Sequence, residues 1–216
     1  MLKILNILKF KTLLLLTLAF FTVLMVRLTI PYFSFDDHTA FLRIKQWIIH
    51  NSVWKTAFYV HVISSCFTLL AGFTQFSGNF LRKYPMLHRY LGRLNGAVIL
   101  LLSGPSGLIM ALYANGGLLS QSAFFILSIL WLAFTYLAYH YARSGDIPRH
   151  RKFMVRSFAL TLSAITLRGW KLLIVLAFRP HPMDAYTLVA FLGWIPNLII
   201  AEIYIRKVIE KRNDQK

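Results

Sequence analysis

Apolar side chains dominate six stretches of the chain, about residues 12–32, 53–76, 90–113, 121–141, 153–178 and 185–205, and polar residues collect between them. No stretch alternates apolar and polar positions over about ten residues, as a membrane β-strand would. Each has the roughly 20 residues a helix needs to cross about 30 Å of hydrocarbon. The pattern predicts an all-α membrane protein, a six-transmembrane helical bundle forming one domain over residues 1–216. The longest connection, residues 33–52, mixes Phe41, Leu42, Ile44, Trp47 and Ile48 with Arg43, Lys45 and Gln46. That mixture predicts an amphipathic segment lying at the membrane surface.

Polar residues inside the stretches fall at helical spacing. In the second, His61, Ser65, Thr68, Gly72 and Gln75 are separated by three or four residues and share one face. In the fifth, His150, Met154, Ser157, Thr161, Ala164, Arg168 and Lys171 do the same. Polar groups are costly in lipid, so both stripes are expected to face the bundle interior. Gly92, Gly96, Ser103 and Gly107 form a small-residue seam in the third stretch, suited to close helix packing. Pro105 and Pro196 are expected to kink the third and sixth helices.

Composition supports this class. Hydrophobic residues make up 57% of the chain and charged residues 14%, against about 25% charged in soluble domains. The single cysteine, Cys66, allows no internal disulfide and reads as a small buried side chain. The net charge of +17 invites a nucleic-acid reading until the charges are placed. Seventeen of the 24 Lys and Arg residues lie on one side of the expected bundle, five on the other, and Arg168 and Lys171 within a span. Basic loops stay cytoplasmic, so both termini are expected inside and the charge becomes a topology signal. The expected partners are membrane lipids, including anionic headgroups, and not nucleic acid. Lys3, Lys9 and Lys11 precede a first stretch long enough to span and without a small-residue cleavage site, so it reads as an uncleaved helix.

At about 1.5 Å per residue, His61 and Arg168 fall at similar depth in the outer half of the bundle. No carboxylate lies in that layer. A cation there calls for an anionic or carbonyl-bearing ligand, a watery cavity or backbone carbonyls. With Gln75 and Lys171, these residues form a candidate polar site. A second candidate lies at the inner ends of the helices. His88 and His150 begin spans from the same side and form the preferred pair for axial ligation of haem b, with His140 as an alternative. Arg89, Arg93 and Arg156 are the candidate partners of haem propionates. No CxxCH, Walker loop, GxGxxG, HExxH or GxSxG occurs, which removes covalent haem and the common nucleotide and hydrolase motifs.

Several runs carry a family resemblance. Leu87-His88-Arg89-Tyr90-Leu91-Gly92-Arg93 and His150-Arg151-Lys152-Phe153-Met154-Val155-Arg156-Ser157 are its two histidine–arginine motifs. Gly72-Phe73-Thr74-Gln75-Phe76, Arg168 and Trp194-Ile195-Pro196-Asn197 complete the pattern. Together they resemble an uncharacterised family of bacterial inner-membrane proteins, the domain of unknown function 2306, from about His61 to Glu202. The resemblance implies a multi-pass inner-membrane protein and no established activity. A more distant similarity is to haem bundles of the b561 and ferric-reductase type, which carry stacked histidine pairs on four successive helices. Spans 2 to 5 each carry a histidine here, but His61 lies outward and His140 inward, leaving His88 with His150 as the one supported pair.

Three functions follow as expectations. The first is haem b binding with a role in electron transfer or quinone redox, alongside a quinone or a redox membrane protein. The second is transport or binding of a small anionic or amphipathic ligand. The third is a non-catalytic assembly or scaffold role.

Overall fold

The computed structural model describes residues 2–210, with side chains from Thr12 onward apart from residue 14. Lys211, Arg212 and Lys216, and the side chains of Lys3, Lys9 and Lys11, which contribute to the charge count, lie outside the described residues.

Among the described residues every regular element is helical. The first span is α1, Leu2–Thr29, continued by a 3-10 turn over Ile30–Ser34. A strap then crosses one end of the bundle, with a second 3-10 turn at Ala40–Lys45. Next come α2 (Ser52–Gln75), the short α3 (Gly78–Lys83) and α4 (Pro85–Val98). A π-helical turn, Ile99–Ser103, joins α4 to α5 (Gly104–Leu112). The rest is α6 (Gly117–Arg143), α7 (Ile147–Thr161), α8 (Ser163–Phe178), α9 (Pro182–Leu192) and α10 (Ile195–Tyr204).

Among the described residues five spans are long and apolar enough to cross a membrane, and six if α7 and α8 count as one broken span. Large apolar side chains such as Leu101, at 73% exposure, and Phe178, at 78%, point outward along them. In water such a surface would be unstable; against lipid it costs nothing.

Among the described residues three of the spans are broken, two of them at prolines and one by a contact from another span. Pro105 has no N–H to give the preceding turn, and the chain widens into the π turn, where the Gly104 N–H reaches the Ile99 carbonyl. Pro196 likewise cannot donate, and the sixth span parts at Gly193–Trp194. The fifth span bends by 41° between α7 and α8 although no proline or glycine lies there. Asn197 supplies the reason. Its Nδ2 donates to the Ala159 carbonyl at 3.1 Å, before the bend, and to Thr166 Oγ1 at 2.9 Å, after it. A side chain inserted into the helical ladder kinks it. Thr166 Oγ1 in turn donates to the Gly193 carbonyl at 2.5 Å, so one small network ties both breaks together.

A buried apolar cluster of Ile99, Trp131, Leu160 and Trp194 sits where the three broken spans meet. A separate cluster of Leu42, Ile49, Trp54 and Phe58 fastens the strap to α2. The strap's amphipathic pattern has a structural counterpart: Leu42 and Ile49 pack inward, while Ile44 and Trp47 are exposed. Lys45 does not follow the polar pattern, being buried with the apolar residues.

Candidate functional site

The α2 stripe packs as its spacing predicts. His61 Nδ1 bonds the Ser103 carbonyl at 2.8 Å, across to the π turn. A carbonyl only accepts, so Nδ1 carries the proton and Nε2 is left as an acceptor available to a ligand. Gly107 makes room for the ring: a Cβ there would stand 3.1 Å from His61 Cε1. Ser64 and Ser103 share a hydroxyl hydrogen bond at 2.7 Å. Further along, a Cβ on Gly72 would overlap the Phe158 ring, and one on Gly92 would stand 2.8 Å from Gln75 Oε1. Gly92 and Gly107 of the third-span seam thus admit side chains of α2, whereas a Cβ on Gly96 would meet nothing within 4 Å.

These contacts leave a cavity of about 210 Å³ inside the bundle. Its polar lining comes from His61, Ser65 and Thr68 on α2, Ser128 on α6, Thr161 on α7 and Ser163 on α8. Trp54, Phe124, Trp131 and Tyr186 add aromatic walls, and Lys45 of the strap also lines it. The two polar stripes meet here, through His61, Ser65 and Thr68 on one and Thr161 and Ala164 on the other. A second, mainly apolar groove of about 370 Å³ is lined by Trp194, Leu198, Glu202 and Arg206. The buried cluster contributes Trp131 and Leu160 to the cavity and Trp194 to the groove, so it forms the partition between them.

The other candidates of the outer site lie elsewhere. Arg168 stays within electrostatic reach of His61, but its Nη1 donates to the Ala164 carbonyl of its own helix at 2.6 Å and it does not line the cavity. Lys171 is exposed on α8. Gln75 Nε2 reaches the His88 carbonyl at 3.3 Å, nearer the basic end. Stripe spacing assumed one straight helix. Ser163 and Ala164, just past the bend at Leu162, still line the cavity with Thr161; Arg168 and Lys171, further along α8, do not.

At the basic end, His88 and His150 sit in the first turns of α4 and α7 and sense one another electrostatically. His150 Nδ1 donates to the Ala138 carbonyl at 2.8 Å, leaving Nε2 free. Neither residue lines the cavity or the groove. His140 is exposed, stacked on Tyr136, and Arg89 and Arg93 are exposed. Arg156 has a partner that sequence reasoning missed. It grips Glu202 with Nε at 2.5 Å and Nη2 at 2.9 Å, a bidentate pair between α7 and α10. Lys152 bonds Glu210 at 2.7 Å alongside. Among the described residues no group of three or more His, Cys, Asp or Glu side chains is arranged for a metal ion.

A family profile for predicted membrane proteins, DUF2306, matches residues 58–205. The chain belongs to this family. No curated protein and no solved structure matches it. The DUF2306 match begins in α2 and ends where α10 gives way to its last π turn, so it takes in the helices that surround the cavity and all three breaks. The strap, with Lys45, lies before it. The chain is an integral membrane protein, and the family brings no activity with it.

Proposed function

We propose that this DUF2306 protein binds a small, polar-headed molecule inside its membrane-spanning bundle, as a carrier or binding protein. One observation carries the reading: the cavity around His61 draws polar side chains from helices of several spans into one aromatic-walled chamber. Ligand sites are mostly apolar pockets with a few convergent polar groups, and polar side chains within membrane spans mark binding or transport paths. The volume, about 210 Å³, exceeds the roughly 150 Å³ that accommodates benzene. It suits a substituted single ring. The partition of Trp131, Leu160 and Trp194, with Leu160 and Trp194 seated at two helix breaks, suits a carrier whose halves shift against one another. On this reading the basic loops face the cytoplasm across a bacterial inner membrane.

The test uses 4-nitrobenzyl alcohol, a neutral nitroaromatic quencher. It should quench Trp54 and Trp131 saturably in the detergent-purified protein. Filling the chamber by Ala164→Phe should remove the saturable part. Equal, linear quenching in both proteins would overturn the reading.

The second reading is haem b held by His88 and His150, and one observation favours it. His150 donates Nδ1–H to a backbone carbonyl, the arrangement that orients a metal-ligating imidazole. Protein expressed with ample haem should then show a Soret band that shifts on dithionite reduction and is lost in His150→Ala. A flat visible spectrum rejects this reading and leaves the cavity proposal untouched.

A further inference from the structure

Lys45 is the least expected side chain in the molecule. It lies on the strap between the first two spans, where solvent is near, yet only 2% of it is exposed. Its Nζ donates to Asn115 Oδ1 at 2.6 Å and to the Tyr113 carbonyl. Phe41 and Trp47 place their rings 5.7 and 5.2 Å from the ammonium. All of these partners are neutral. An ammonium has three donors, so two protein acceptors leave one unused. The segment's other cations are engaged elsewhere: Lys55 bonds Asp37 at 2.8 Å, and Arg43 Nε donates to the His38 carbonyl at 2.6 Å.

Burying a cation without an anion is costly. A strap lock needs no charge, because a glutamine could bond the same carbonyl and amide. The charge is explained if an anion arrives from within the chamber that Lys45 lines. We infer that the chamber takes a small monocarboxylate of single-ring size, its carboxylate on Lys45 and its ring among Trp54, Phe124, Trp131 and Tyr186. The inference rests on the binding role proposed for the cavity and names the ligand class. His61 Nε2, an acceptor, would repel a second carboxylate and accept a hydroxyl or N–H on the far part of the ligand.

Burial pushes the Lys45 ammonium down to about 8, so its charge is lost in an accessible range. The other titratable groups lining the chamber are His61 and Tyr186, whose side-chain types ordinarily titrate near 6.5 and 10 and so bracket that range.

The experiment compares 4-nitrobenzoate with the near-isosteric 4-nitrobenzyl alcohol by tryptophan quenching. At pH 7 the anion should bind about tenfold tighter or better, the worth of one desolvated charge pair. The preference should fall as pH rises from 7 to 9.5, while alcohol binding stays level. Lys45→Arg should keep the preference and lose its pH dependence; Lys45→Met should lose the preference and keep the alcohol. If Lys45→Met does not fold, the pH series on the native protein still decides. Saturable alcohol binding without preference for the anion, or a preference unchanged to pH 9.5, overturns the assignment of Lys45 and leaves the cavity reading standing. Absence of saturable binding by either compound overturns both.

Discussion

Replacing Gly72 with valine should destabilise the protein through a single ring. A Cβ at Gly72 would stand 2.3 Å from Phe158 Cζ and 2.6 Å from Cε2, well inside contact distance. The ring cannot simply withdraw, because Phe76 packs against it with centroids 4.7 Å apart. Overpacking of this kind costs about 1–3 kcal/mol, and the β-branch adds bulk on both sides. The thermal midpoint of Gly72→Val in detergent should fall well below that of the native protein. Phe158→Ala will cost stability by itself, through the gap it leaves. In that background Gly72→Val should cost almost nothing further, because its only obstacle is gone. A double-mutant cycle measures this coupling directly. Additive losses would show that the α2–α7 contact is not where Gly72 is needed.

Asn197→Leu should be comparably damaging for a different reason. The amide Nδ2 serves Ala159 O, Thr166 Oγ1 and, at 3.3 Å, Gly193 O. Leucine keeps the branching of the side chain and removes every donor. Interhelical hydrogen bonds in membrane proteins are worth about 0.6 kcal/mol on average and up to about 1.7. Here the Ala159 carbonyl loses its side-chain donor beside a helix bend, and the Gly193 carbonyl is left with Thr166 alone. A loss of on the order of 2–4 kcal/mol is expected. Asn197→Asp should do no better, since a carboxylate offers acceptors where donors are required. If Asn197→Leu melts with the native protein, the bend between α7 and α8 is not maintained by this side chain.

The two variants also separate what was legible in the chain from what was not. The α2 stripe was readable because a straight helix repeats its faces every three to four residues. His61, Ser65 and Thr68 accordingly line the cavity, and Gly72 and Gln75 meet Phe158 and Gly92. The same arithmetic applied to the fifth span ran through a bend that its own residues do not encode. The residue that bends it is Asn197, 38 positions from Ala159. Thr161 and Ala164 line the cavity on either side of that bend, while Arg168, a turn further along α8, is exposed and does not. Arg156 was a candidate haem-propionate partner because it lies among arginines in sequence, yet its carboxylate, Glu202, is 46 residues away.

Lys45 shows the limit most clearly. By local pattern it is a polar residue of an amphipathic loop, and nothing nearby in the chain marks it as buried. Its acceptors lie 68 and 70 residues further on, between α5 and α6. Period, length and composition determined by themselves that this is a helical membrane protein, because lipid demands long apolar helices and leaves polar residues only where they face one another. Which cation lines the chamber, which cations are already paired and that the fifth span bends were decided by tertiary structure. Each depends on contacts between spans far apart in the chain, and local helical periodicity carries no record of those.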